Sequence, residues 1–294
     1  MDFFLALLIS GLLSGSVYAL VGAAFVVVYR ASSVLNFSLG EWVSLGARLT
    51  GVGYQTIGLP LVGAMAVALG VVAALAALFN RVVIQRLVGR PMVTVVVATL
   101  ALGVFMRGGG AITMSGLPAE IPEVFGNDLL LWGDVPIPPA RLLSSGIALV
   151  LVGLVMAFFR YSRAGIAIRA IADDPQAATV VGISVGRYLG ISWVLSAFIC
   201  VAGGVLWSID GLGGFGMGLV LVKVLPVVVI GGLTSFAGAF VAALFIGVAE
   251  NMAAGYLDPV IGTGSGSTIA AACVVLMLWF RPAGLFGQQT VSRV

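Results

Sequence analysis

Apolar runs separated by short polar breaks fill nearly the whole chain. They lie at 3–29, 42–57, 59–79, 92–112, 141–159, 188–209, 219–232, 235–255 and 265–280. Most are near the length of about 20 residues that an α-helix needs to cross a bilayer. The runs at 42–57 and 219–232 are short, and either reads as a full span or as a re-entrant or broken helix. The expected fold is therefore an all-α polytopic membrane protein of eight or nine transmembrane or broken helices. Gly11 and Gly15 stand at GxxxG spacing in the first run, a pattern that lets helix backbones approach closely.

Two breaks stand out by position. Residues 30–41, RASSVLNFSLGE, bring Arg30, Ser32, Ser33, Asn36, Ser38 and Glu41 between two apolar runs. In the second half, Asp210 and the glycine-rich GLGGFGMG at 211–218 precede the short run that holds Lys223 and Pro226. Polar or glycine-rich breaks beside short apolar elements in both halves are the mark of an internal repeat with a pathway at its interface.

The longest arginine-bearing interval is 160–187, RYSRAGIAIRAIADDPQAATVVGISVGR. Asp174 followed by Pro175 reads as an N-cap with proline at the first helical position, where a missing N–H costs nothing. The helix continues through Gln176, Ala177, Ala178, Thr179, Val180 and Val181, and Gly182 ends it in the left-handed conformation. About two turns cannot hold themselves together in water. Ala178 and Gly182 share a face of small residues. Such a helix either fits a groove on a partner or lies on its own protein.

Composition agrees with the runs. Hydrophobic residues make up 61% of the 294 and charged ones only 9%, with a mean hydropathy of +1.20; soluble domains carry about 25% charged residues. Residues 1–294 read as a single transmembrane domain with no room for a sizeable soluble one. Asp2 stands where a cleavable signal would carry positive charge, and the first run is long enough to span, so no signal peptide is expected. Cys200 and Cys273 sit in apolar runs without a pairing pattern and read as small core residues.

Histidine is absent. Bis-histidine haem, HExxH zinc and Ser-His hydrolysis therefore lack their ligands or base, and the GSGS at 264–267 has no histidine to activate it. No GxxxxGK[ST] phosphate loop occurs. No two carboxylates lie near enough in sequence to serve as an acid–base pair. The chain is expected to have no catalytic residue, no metal site and no cofactor of its own.

Arginine placement gives the orientation. Arg81, Arg86 and Arg90, the arginines of 160–187, and Arg281 and Arg293 belong in the cytoplasm by the positive-inside rule. The loop at 113–140, with Glu120, Glu123, Asp128 and Asp134, then lies outside. The N-terminus is expected outside and the C-terminus inside.

Lys223 is the main anomaly, standing inside LVLVKVLPVVV. A central lysine costs roughly 2.5–3.5 kcal/mol on insertion scales, so it should face protein or water. It either pairs with a carboxylate for stability or stands on a pathway, partnered by Glu41, Glu250 or a substrate carboxylate. Glu41, in a helix's first turn, suits the helix dipole or lines the pathway. Asn36 and Ser38 line a cavity or cap the break. Glu250 and Asn251, toward the outer end of their run, read more safely as a solvated face. The candidate pathway set is Asn36, Ser38, Glu41, Lys223 and Glu250.

Three stretches carry a family resemblance. They are GLLSGSVYALVGAAFVVVYRASSVLNFSLGEWVSLGA (11–47), SRAGIAIRAIADDPQAATVVGI (162–183) and VIGGLTSFAGAFVAALFIGVAE (229–250). With them the chain resembles the LivH-like membrane permease subunits of bacterial ABC importers of branched-chain amino acids. The 176–182 stretch is also similar to the wider importer signature EAA-x-x-x-G, with Gln176 in place of the glutamate and no I-x-L-P following. The resemblance implies a cytoplasmic segment, 160–187, that couples to an ATPase through Arg163, Gly165, Arg169, Asp173, Asp174, Gln176, Ala177, Ala178 and Gly182. It also implies a bacterial inner-membrane location and a second permease subunit, either related or a second copy. Two ATPase subunits carrying the ATP and Mg²⁺, and an extracytoplasmic binding protein on the outer loops, would complete the assembly. Membrane lipid is expected as a partner and nucleic acid is not. The competing reading is an ion-coupled secondary transporter of a small carboxylate or amino acid, working through Lys223, Glu41 and Glu250. That reading, and a passive channel, leave the 160–187 helix without a role.

Overall fold

The computed structural model describes residues 2–87, 89–117, 121, 130–132, 135–212, 220–281 and 283–287. The acidic residues Glu120, Glu123, Asp128 and Asp134, most of the glycine-rich run after Leu212, and Arg293 lie outside them. The helices are α1 (Asp2–Ser32), α2 (Leu39–Gln55), α3 (Leu61–Phe79), α4 (Gln85–Leu87), α5 (Met92–Thr113), α6 (Pro139–Tyr161), α7 (Arg163–Asp173), α8 (Pro175–Val180), α9 (Val185–Trp207), α10 (Val220–Gly231), α11 (Phe236–Ile261) and α12 (Ser265–Phe280). A small antiparallel hairpin, β1 (Leu130–Trp132) with β2 (Val135–Ile137), is the one departure from helix among the described ordered elements.

Among the described residues, six helical stretches are long and apolar enough to cross a membrane: Phe3–Ser32, Leu61–Leu87, Met92–Thr113, Pro139–Tyr161, Val185–Asp210 and Phe236–Ile261. Helices α10 and α12 are apolar but shorter. Two of the long stretches extend through π-helical turns, Asn80–Ile84 after α3 and Ser208–Leu212 after α9. A π-turn inserts one extra residue into the ladder and often marks a functional position.

The centre of the bundle is α1 packed against α9 and α11. Residues Val17 to Val28 of α1 are almost all buried. Glycines set the closest approach. A Cβ built on Gly11 would lie 2.6 Å from the Val248 Cα, and one on Gly15 would lie 2.8 Å from the Ala243 carbonyl oxygen. Phe3 meets Tyr256 at one end of this pair, and Arg30 lies over the Phe236 ring at the other. The two helices therefore run antiparallel. On the α9 side, Ser196 Oγ donates to the Ala24 carbonyl at 2.9 Å and Ser14 reaches Asp210, so α9 also opposes α1.

The arginine-rich breaks meet at one end of this bundle. Arg30, Arg160 and Arg169 line one cleft there, and Arg81 and Arg187 line a second; Phe158 and Phe159 lie between the two clefts. The 30–41 break is a real interruption. Chain geometry turns at Ser33, which takes a φ of +53°, and α2 starts again at Leu39.

Candidate functional site

A polar layer crosses the apolar core where α1 faces α6, α9, α10 and α11. Ser14 and Tyr18 are one turn apart on α1 and share a face. Each meets an ion pair brought from other helices. Lys223 Nζ of α10 lies 3.0 Å from Glu250 Oε2 of α11, and the Tyr18 hydroxyl donates to the same oxygen at 2.9 Å. Lys223 Nζ is also 3.3 Å from Tyr18 Oη. Tyr18 is held in place by stacking on Trp207, with ring centroids 4.9 Å apart.

One turn along α1, Ser14 Oγ donates to Asp210 Oδ2 at 3.4 Å. Arg141, near the start of α6, donates from Nε to Asp210 Oδ1 at 2.7 Å and from Nη2 to the Asp210 carbonyl at 3.3 Å. Asp210 lies in the π-turn at the end of α9. Between the two pairs, Ser16 donates to Ser145 Oγ at 2.8 Å.

Within the lysine pair the two members are not equally enclosed. Side-chain exposure is 5% for Glu250 but 31% for Lys223. Glu250 thus has one oxygen engaged twice, while its Oε1 is buried with no hydrogen-bond partner among the described residues. A charge taken out of water needs its partner nearby. The arrangement satisfies that need for Glu250 and still leaves the lysine open on one side.

The expected pathway residues separate into three groups. Lys223 and Glu250 come together. The expectation of a solvated face for Glu250 is corrected: the residue is in mid-helix and buried, because α1 and α10 cover that turn of α11. Glu41 does not reach Lys223 and is paired instead with Arg107 of α5, whose Nε lies 2.8 Å from Oε1. Asn36 and Ser38 hold the break. Asn36 Oδ1 accepts from the Ser38 amide at 3.1 Å and from Ser38 Oγ at 2.6 Å, and Ser38 Oγ accepts from Trp42 Nε1 at 3.0 Å. Both residues are buried.

The 160–187 segment forms two helices at the basic end. Ser162 caps α7 by accepting from the Gly165 amide at 2.9 Å. Gly165 has no room for a side chain, since a Cβ would lie 2.6 Å from the Phe158 carbonyl oxygen. Arg169 turns back toward the bundle and donates to the Arg160 carbonyl at 3.4 Å, and Asp173 lines the same cleft of about 670 Å³. Arg163 opens α7. Asp174 Oδ1 then accepts from the amides of Gln176 at 2.8 Å and Ala177 at 3.0 Å, capping α8. The helix ends with Gly182 at a φ of +86°, Ile183 N donating to Ala178 O and Gly182 N to Thr179 O, a Schellman closure.

One detail of α8 differs from expectation. Ala178 is buried against its own chain, so the small face it was expected to share with Gly182 is not the outward one. The outward face carries Gln176, Ala177, Val180 and Val181, with Val180 87% and Val181 74% exposed.

The residues missed in the sequence are Tyr18, Arg141 and Asp210 as partners. The usable signal was weak. Arg141 stands alone at the head of one apolar run and Asp210 alone at the foot of another.

A helical bundle with six membrane-length apolar stretches and an internally neutralised polar layer is a multi-pass membrane protein. The sequence pattern described as "Branched-chain amino acid transport system / permease component" matches residues 7–278, and the chain belongs to that family. Its class is a transport permease and not an enzyme. The chain is 25% identical over 309 residues to the high-affinity branched-chain amino acid transport system permease protein LivH of Salmonella typhimurium, covering 99% of this chain and 98% of that protein. It is 27% identical to the permease protein BraD of Pseudomonas aeruginosa over 308 residues, with the same coverage. A probable LivH of Methanocaldococcus jannaschii is 26% identical, covering 91% of this chain and 88% of the relative. Among solved structures, PsaBC from Streptococcus pneumoniae in complex with Fab overlays with a TM-score of 0.49 at 17% identity, covering 94% of this chain and 92% of that one.

Proposed function

We propose that the chain is the membrane subunit of an ATP-driven importer of branched-chain amino acids or related small polar solutes. It sits in a bacterial inner membrane and forms half of the translocation pathway. A second permease subunit supplies the other half. Two ATPase chains bind at the basic end, and an extracytoplasmic binding protein delivers the solute. In this reading α2, α10 and α12 cross the membrane with the six long stretches, the basic end is cytoplasmic and the N-terminus is outside. Residues 1–294 act as one transmembrane domain.

The observation that carries the reading is α8. It is a six-residue helix at the basic end, capped at both ends, packed on its own chain through Ala178 and with two adjacent valines exposed. A helix this short gains nothing from exposure in its own fold. It fits a groove on an ATPase, and closure of an ATPase pair would move it and bias the bundle between its two states. Ion-coupled transport gives it no role.

Lys223, the half-open cation of the polar layer, is where a substrate carboxylate would meet the pathway. Its pairing with Glu250 keeps the site neutral when empty.

The test is the energy source. In proteoliposomes holding the purified transporter with its ATPase partners and binding protein, leucine uptake should require ATP and persist when ionophores collapse the ion gradients. Uptake driven by a proton or sodium gradient without ATP would replace this reading with the ion-coupled one.

A further inference from the structure

Helix α9 is the most enclosed span, yet one strip of it remains open. Gly186, Arg187, Gly190, Ile191, Val194 and Phe198 recur at helical spacing and form the floor of a groove of about 620 Å³. One wall is α3, its π-turn and the start of α4, contributing Ala77, Asn80, Arg81 and Gln85; the other is Phe158 of α6.

Glycines on α9 let one wall approach closely at the polar end of the groove. A Cβ on Gly190 would lie 3.2 Å from Asn80 Nδ2, and one on Gly186 would lie 3.8 Å from Gln85 Nε2. Gln85 Nε2 donates to the Gly186 carbonyl at 3.3 Å and closes the groove's polar end.

The two ends differ in chemistry. Ile191, Val194, Leu195 and Phe198 make the deep part apolar, and it runs along a membrane-length helix. Arg81 and Arg187 stand at the other end, where α3 finishes and α9 begins. Both are exposed, and neither has a carboxylate within ion-pair distance among the described residues. An apolar slot at span depth that ends in two free guanidiniums at headgroup depth complements one kind of molecule. Arginine binds phosphate well because its planar fork matches the oxygens. Basic pockets between spans are known sites for anionic headgroups.

We infer that this groove binds an anionic phospholipid, with an acyl chain along Ile191, Val194 and Phe198 and the headgroup phosphate between Arg81 and Arg187. The site is separate from the polar layer and from α8, and it holds whatever the transported solute is.

Native mass spectrometry of the full chain tests it. The delipidated protein is titrated with dioleoylphosphatidylglycerol, with dioleoylphosphatidylcholine, and with inorganic phosphate as an anion without chains. One phosphatidylglycerol should be retained in preference to phosphatidylcholine, and phosphate should not compete it off. Each arginine near a headgroup contributes roughly a factor of five, so Arg81→Gln with Arg187→Gln should weaken retention about 25-fold. Ala77→Trp, on the exposed wall, should block the chain while leaving both arginines in place. The paired change Arg86→Gln with Arg90→Gln, on cations outside the groove, should leave retention unaltered.

Equal retention of both lipids would overturn the inference, as would competition by phosphate alone. So would an Ala77→Trp protein that keeps its lipid. If Ala77→Trp instead dissociates two permease chains from each other, the groove is a subunit interface and the lipid assignment fails. Melting temperature of each variant, measured alongside, identifies any that fails to fold; the arginine variants are surface changes that carry the test in that event.

Discussion

Replacing Lys223 by methionine is expected to destabilise the folded protein by about 3 kcal/mol. Removing one member of a buried ion pair typically costs 3–5 kcal/mol because the other charge is left stranded. The lower end applies because Lys223 keeps 31% of its side chain exposed, while Glu250 keeps only 5%. The stranded group would be Glu250, whose Oε1 already has no partner among the described residues. Its remaining contact would be the Tyr18 hydroxyl at 2.9 Å. The companion change Lys223→Met with Glu250→Gln removes both charges and should recover most of the loss. Melting in detergent, followed by size-exclusion fluorescence, gives the comparison. Equal melting for the single and double variants would show that the pair does not carry this energy. If the double variant folds but no longer transports leucine, the charges serve the pathway as well as the fold.

Gly247→Leu should be nearly as damaging, for a different reason. Helices α1 and α11 touch through backbone at Gly11, Gly15 and Gly247. A Cβ on Gly247 meets the Gly11 carbonyl oxygen and comes within 2.7 Å of the Gly15 Cα. Overpacking usually costs 1–3 kcal/mol, and backbone cannot rotate away as a side chain can. The expected cost is about 3 kcal/mol. Gly153→Leu, at a position where a Cβ meets nothing within 4 Å, is the control and should melt like the wild type. Since Tyr18 and Glu250 face each other across this same contact, separating the helices should also weaken the polar layer. A Gly247→Leu protein with wild-type melting would mean that α1 and α11 are not packed this closely.

Local chemistry was readable from the sequence because its causes are local. Asp174, Pro175 and Gly182 each fix a backbone conformation within a few residues of themselves, and α8 begins and ends where they stand. The 30–41 break was readable because six polar residues cannot continue a lipid-facing helix, although α2 starts earlier than the apolar run alone suggested. Lys223 was conspicuous because a cation in an apolar run demands an explanation. Which carboxylate answers it was not readable. Glu41 and Glu250 are equivalent as sequence, and only the packing of α11 on α1 selects one and leaves the other to Arg107.

Arg141 and Asp210 were missed for the same reason. They are 69 residues apart, on elements that meet only in the folded bundle. Tyr18 looks like any aromatic in an apolar span until Trp207 and Glu250 surround it. The inward turn of Ala178 also depends on tertiary packing, because the helical period alone does not say which side faces the protein. The two π-turns have no signature in hydrophobic period at all, yet one carries Asp210 and the other shapes the α9 groove.

Whether α8 docks on an ATPase is tested most directly by co-purification. The tagged chain is drawn from its native membrane in mild detergent, as wild type and as Val180→Glu. The substitution places a charge at Val180, 87% exposed, and leaves the caps of α8 and the buried Ala178 untouched. An ATPase should accompany the wild type and be lost or strongly depleted with Val180→Glu, while the permease itself melts as before. An ATPase bound equally by both proteins would contradict docking through this face. No ATPase with the wild type in several detergents would contradict the importer account itself.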